Sequence, residues 1–127
     1  MKNGFKLSAI IPATPAEIYK AWLSTKGHTA ITGSPAKISH KKFTAWDGYI
    51  FGRTLELETD RLIVQAWRTT EFGDDIPDSH LEVSLAKTTG GTKVTLTHTN
   101  IPAGQADSYK QGWQDFYFKP MKEYFKK

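Results

Sequence analysis

The chain has 127 residues, a formal charge of +4 and no cysteine. That is the length of one ordinary domain, residues 1–127, and the missing cysteine excludes disulfides and thiolate chemistry. The lysines are spread along the chain and no segment is long and apolar enough to span a bilayer, so neither nucleic-acid binding nor membrane insertion is expected.

Phe5, Leu7, Ala9 and Ile11 alternate with Lys6, Ser8 and Ile10, the period of a strand with one buried face. Pro12 ends it. Thr14-Pro15-Ala16-Glu17 reads as a capping box, with Thr14 at the N-cap, Pro15 in the first turn and Glu17 reaching back. The helix it opens should run to about Ser24, with Ile18 and Trp22 on one face beside Tyr19 and Leu23. Lys26 to Thr32 has room for a second short helix, stopped by Gly33.

From Pro35 the period becomes two. Short strands are expected at Ala36–Ile38 and Phe43–Trp46, around a basic corner at His40, Lys41 and Lys42. Asp47-Gly48 is a turn signal. A long strand follows from Tyr49 to Glu58, with Gly52 marking a bulge or a close approach. Thr59-Asp60 turns the chain into a strand from Arg61 to Thr70, in which Ile63, Gln65, Trp67 and Thr69 share a face. Arg68 has the opposite parity and should form a rim ion pair. Glu71 to Asp78 reads as a solvated acidic loop. Leu81, Val83 and Leu85 alternate in the next strand, Gly90-Gly91 makes a hairpin, and Val94, Leu96 and His98 alternate in the last one.

The end of the chain, Gln105 to Lys127, is long enough for a helix of about six turns. Tyr109, Trp113, Phe116, Tyr117 and Tyr124 recur at helical spacing, with Phe118, Met121 and Phe125 on an adjoining row. Gly112 leaves a gap beside Trp113. Pro120 cannot donate to the carbonyl of Phe116, so a bend is expected there. A bend toward the sheet should bury Tyr124 and Phe125; the opposite bend would open a cavity mouth near Met121. Lys119, Lys122, Lys126 and Lys127 suit the negative end of the helix dipole.

The order of elements gives an α+β fold. A curved antiparallel sheet of six or seven strands should wrap around the long C-terminal helix, with one or two short helices after the first strand. A space between sheet and helix would be lined by Trp67, Leu81, Val83, Val94, Leu96 and His98 from the sheet and Trp113 and Tyr117 from the helix, with Trp22 from the first helix.

The run Trp46-Asp47-Gly48-Tyr49-Ile50-Phe51-Gly52, then Ile63-Val64-Gln65-Ala66-Trp67-Arg68, resembles the START-like (Bet v-like, helix-grip) superfamily. More narrowly, Gln111-Gly112-Trp113-Gln114-Asp115-Phe116-Tyr117-Phe118 after Asn100-Ile101-Pro102-Ala103 resembles the C-terminal domain of the activator of heat-shock protein 90 ATPase. The resemblance implies a cytoplasmic helix-grip domain. It leaves two roles open: binding an apolar small molecule or lipid in the cavity, or interaction with heat-shock protein 90. A cyclase- or hydrolase-like enzyme is a third possibility, with no acid–base pair at fixed spacing to support it.

The four histidines, His28, His40, His80 and His98, form no metal-ligand pair, and no phosphate loop or nucleophile elbow occurs, so no cofactor is expected. His98 shares the inward parity of Val94 and Leu96. It is either a core histidine with one hydrogen bond or a pocket group that orients a ligand or moves a proton. Trp67 and Trp113 are either core or ligand platforms.

Overall fold

The computed structural model describes residues 4–39 and 41–126, so His40 of the basic corner and Lys127 lie outside the described residues. Strand β1 (Phe5–Ile11) leads into helices α1 (Pro15–Trp22) and α2 (Thr25–Thr32). Six strands follow: β2 (Lys37–Ile38), β3 (Lys42–Ala45), β4 (Ile50–Glu58), β5 (Leu62–Thr69), β6 (Ser79–Thr88) and β7 (Gly91–Thr99). They form one antiparallel seven-stranded sheet in the order β1-β7-β6-β5-β4-β3-β2. The chain closes with a long helix made of α3 (Ala106–Trp113), a π-helical turn (Gln114–Phe118) and α4 (Lys119–Phe125). This is the expected α+β helix-grip arrangement.

Local chemistry explains the boundaries. Both halves of the capping box form: Glu17 N–H donates to Thr14 Oγ1 at 3.1 Å, and Thr14 N–H to Glu17 Oε1 at 2.9 Å. Gly33 ends α2 in the left-handed region, at φ 76°. Gly52 is a close-approach point and not the bulge: a Cβ there would stand 1.9 Å from the Ala66 carbonyl oxygen. The bulge falls later, between Thr54 and Glu56, where the β4–β5 register shifts.

Two expectations need correction. The loop after β5 is not simply solvated. Phe72 is buried in the core, edge-on to Trp67 at 6.3 Å between ring centroids. Arg68 organises the rest of the loop by donating to the carbonyls of Gly73 and Ile76, each at 3.0 Å, and pairing with Asp78 at 2.8 Å. Its guanidinium carbon also lies 5.3 Å from the centre of the Phe72 ring. The rim ion pair is therefore present, and it shapes the loop.

The second correction concerns the C-terminal helix. The disturbance at Pro120 takes the form of a π-turn: Lys119 N–H donates to Gln114 O, five residues back. The turn lies just before the proline, where the α-helical ladder would lose its bond to Phe116 in any case. One extra residue in the turn advances the buried face by about 100°. Tyr109, Trp113 and Tyr117 form the buried row before it; Phe118, Met121 and Phe125 form the buried row after it. Tyr124, expected inside, is 47% exposed, and Phe116 is 56% exposed. Met121 is wholly buried, so no mouth opens there.

The phase change can be tested by urea denaturation. Phe125→Ala should cost about 3 kcal/mol, near the low end for an emptied buried aromatic site. Tyr124→Ala should cost at most about 1 kcal/mol. The reverse order would place the helix face one residue out.

Candidate functional site

Three aromatic side chains spaced by four on the helix, Tyr109, Trp113 and Tyr117, face inward, and each puts its polar atom on a different element. Trp113 Nε1–H donates to His98 Nδ1 on β7 at 3.1 Å. An indole nitrogen only donates, so His98 carries its proton on Nε2 and donates it to Ser79 Oγ at 2.8 Å. Ser79 in turn donates to the Trp67 carbonyl at 2.6 Å. Tyr117 is tied the same way to α2. His28 Nδ1 lies 3.0 Å from the Trp22 carbonyl and must donate to it, so His28 Nε2 accepts from the Tyr117 hydroxyl at 2.7 Å. Tyr109 donates to Gln105 Oε1 at 2.6 Å and accepts from Thr69 Oγ1 of β5 at 2.8 Å.

Both histidines are thus held neutral, in opposite tautomers. Burial pushes the His98 pKa down from 6.5 to about 3, with the charge of His80 adding to the effect. Burial also lowers the pKa of His28, against a smaller opposing contribution from the Trp22 carbonyl. Burial raises Tyr117 and Tyr109, so both stay protonated. Among the described residues no buried side-chain nitrogen or oxygen lacks a partner. His98 therefore has more than the one hydrogen bond expected of a core histidine, and it is fully enclosed.

A groove lies beside this anchored row, with a volume of about 280 Å³. Ser108, Gly112 and Phe116 form the next helical row and line it, with Tyr109, Trp113 and Tyr117. Trp46 and Tyr49, from the turn between β3 and β4, Ile50 of β4 and Trp67 of β5 form the opposite wall. The turn that presents Trp46 and Tyr49 is tight: Trp46, Asp47 and Gly48 all have positive φ, and Gly48 and Tyr49 donate back to Ala45 and Trp46. Gly112 contributes space. A Cβ there would meet only Phe116 Cδ2, at 3.8 Å. The Trp67 ring lies 5.7 Å from Trp113, and Trp46 lies 5.6 Å from Phe116.

Of the nine residues expected around the cavity, the structure places Trp67, Trp113 and Tyr117 on the groove. Leu81, Val83, Val94, Leu96 and His98 are wholly buried behind it, because the aromatic helix packs directly onto the middle of the sheet. Trp22 is also buried, stacked on Trp113 with centroids 6.0 Å apart. The space is displaced toward the β3–β4 end. Sequence reasoning missed Trp46, Tyr49, Ser108, Tyr109 and Phe116. The available signal was the Ser108–Gly112–Phe116 row, whose middle residue has no side chain. The described residues hold no group of three histidine, cysteine or carboxylate side chains placed to bind a metal ion.

The architecture and the site can be set beside known proteins. A family model described as "Activator of Hsp90 ATPase homolog 1-like protein" matches residues 12–126. The chain belongs to that family. Among its relatives is the human activator of 90 kDa heat shock protein ATPase homolog 1, 27% identical over an alignment of 118 positions that covers 88% of this chain and 34% of the human protein. The chain therefore spans about a third of the length of that relative. An HSP90 activator from Plasmodium falciparum has the same fold, with a TM-score of 0.85, 24% identity and 94% of each chain covered. So does the Aha1 dimer from Colwellia psychrerythraea, with a TM-score of 0.74, 14% identity and 89% of each chain covered.

Two measurements check the anchoring of this family member. Trp113→Ala should lower stability by about 3–5 kcal/mol; an unchanged thermal melt would mean that the helix is not held there. The second is pH. His98 has a folded pKa below its unfolded value, so its contribution is present above about 6.5 and is lost as pH falls toward 3. Lowering pH from 7.5 to 5.5 should cost about 1.4 kcal/mol through His98 alone, because only the unfolded chain takes up that proton. His28 acts in the same direction. Equal stability at the two pH values would contradict the neutral pair.

Proposed function

We propose that residues 1–127 act as one helix-grip domain that binds an apolar small molecule in the groove between helix and sheet. One observation carries this reading: a space of about 280 Å³ walled by seven aromatic side chains and kept open by Gly112. Its size is near the lower end of ordinary ligand pockets, which begin at roughly 300 Å³. Large aromatic faces give contact area with few rotors to freeze. The neighbouring core is already packed and hydrogen-bonded, which fixes Tyr109, Trp113 and Tyr117 before a ligand arrives.

Aromatic compounds of about ten non-hydrogen atoms should bind with micromolar affinity and quench tryptophan emission, because Trp46, Trp67 and Trp113 all line the groove. Gly112→Leu should weaken binding at least about tenfold while keeping the fold, since helix propensity favours leucine over glycine by nearly 1 kcal/mol. A null screen of aromatic and lipid compounds would overturn this reading, as would unchanged affinity in the Gly112→Leu protein.

A second reading is favoured by the family membership and by the names of its relatives: regulation of the ATPase of heat-shock protein 90. Both readings take the protein to be cytoplasmic. Titration of isotope-labelled protein with that chaperone should shift a contiguous set of surface amides. No shift at stoichiometric amounts would remove the second reading.

A further inference from the structure

We propose that the groove selects a small organic cation, of the methylated aromatic ammonium class, over neutral or anionic molecules of the same shape. The inference rests on the small-molecule reading above and specifies its ligand chemistry.

Four observations point this way. First, Trp46, Tyr49, Trp67, Tyr109, Trp113, Phe116 and Tyr117 make up most of the lining, and their π faces carry negative quadrupole charge. The rings meet at angles: Trp46 and Phe116 at 69°, Trp67 and Tyr109 at 78°, Trp67 and Trp113 at 42°. They therefore present planes of several orientations and do not stack into one flat wall. Second, among the described residues no lysine, arginine or histidine lines the groove. Arg68, next to Trp67 in the chain, is committed to the loop carbonyls and to Asp78.

Third, the hydroxyl protons of the lining tyrosines are already committed. Tyr49 donates its proton to Glu71, Tyr109 to Gln105, and Tyr117 to His28. Of the four hydroxyls on the lining, only that of Ser108 is outside this set. An anion would meet aromatic faces, hydroxyl oxygens whose protons are already donated, and the single hydroxyl of Ser108. Fourth, Glu71, outside the lining itself, accepts the hydroxyl proton of the lining residue Tyr49, and a carboxylate bonded to the wall can balance a ligand's positive charge. Charge complementarity thus favours a cation. The volume, about that of nine water molecules at roughly 30 Å³ each, suits a compound such as phenyltrimethylammonium.

The test compares three probes by amide chemical-shift titration of the whole protein: phenyltrimethylammonium, its neutral isostere tert-butylbenzene, and the carboxylated derivative of that isostere, 4-tert-butylbenzoate. The expected result is that the cation binds at least about tenfold more tightly than the neutral isostere and the anion binds most weakly. Glu71→Gln should lower affinity for the cation severalfold and leave that for tert-butylbenzene nearly unchanged, and Trp46→Leu should lower affinity for the cation by more than it lowers that for tert-butylbenzene. Glu71 is exposed, so its variant keeps the fold even if the Trp46 variant does not. Equal affinity for cation and isostere would overturn the charge preference and leave the apolar groove standing. So would a preference for the anion, or a cation preference untouched by Glu71→Gln in a protein whose Trp46→Leu variant also retains it. Failure of all three probes to bind would overturn the groove reading together with this one.

Discussion

The structure depends on one row of three side chains whose polar ends each reach a different part of the fold. Tyr109 is bonded to Thr69 on β5, Trp113 to His98 on β7, and Tyr117 to His28 on α2. Hydrophobic burial brings an aromatic helix onto a sheet but does not choose its rotation or its sliding position. Buried donors and acceptors do, because each one left unpaired costs about 1–3 kcal/mol. A shift of the helix by one residue would strand Trp113 Nε1, His98 Nδ1 and the Tyr117 hydroxyl together. The relay continues beyond the helix through Ser79 to the Trp67 carbonyl, so it also ties β5, β6 and β7 to the same position.

That fixed position accounts for the groove. With Tyr109, Trp113 and Tyr117 held inward, the adjacent row of Ser108, Gly112 and Phe116 must face the β3–β4 end of the sheet. A serine, a glycine and a half-exposed phenylalanine cannot fill that space. The π-turn serves the same arrangement from the other side. It lets both Tyr117 and Phe118 be buried and turns Met121 and Phe125 inward afterwards. The first half of the helix thus obeys the hydrogen-bond row, and the second half obeys the packing against β1 and α2. Pro120 lowers the cost of the mismatch, because the ladder is broken there already.

Much of the fold was legible in the sequence. Alternation gave the strands, Thr14 and Glu17 gave the first cap, and Gly33, Asp47-Gly48 and Gly90-Gly91 gave turns. The inward parity of His98 was also readable. Its partners were not, because Trp113 and Ser79 are brought to it by tertiary packing. The structural role of His28 was unreadable for the same reason: its partner Tyr117 lies 89 positions away. Phe72 sat among acids and was taken with them as solvated, whereas Arg68 folds that loop over it. Tyr124 was assigned to the interior because a regular period carried past Pro120 puts it there. No periodicity argument counts the extra residue of a π-turn. The groove was expected over the middle of the sheet, where inward-facing Leu81, Val83 and Leu96 converge. Those positions are filled by the helix itself.

The central claim is that a neutral His98 in the Nε2-protonated form holds the C-terminal helix in register. Nitrogen-15 shifts of the imidazole ring, followed across pH, report it directly. The account predicts a protonated Nε2, an unprotonated Nδ1 and no titration of His98 between pH 8 and about 4.5, since its pKa lies near 3. A proton on Nδ1, or titration with a midpoint near 6.5, would contradict it.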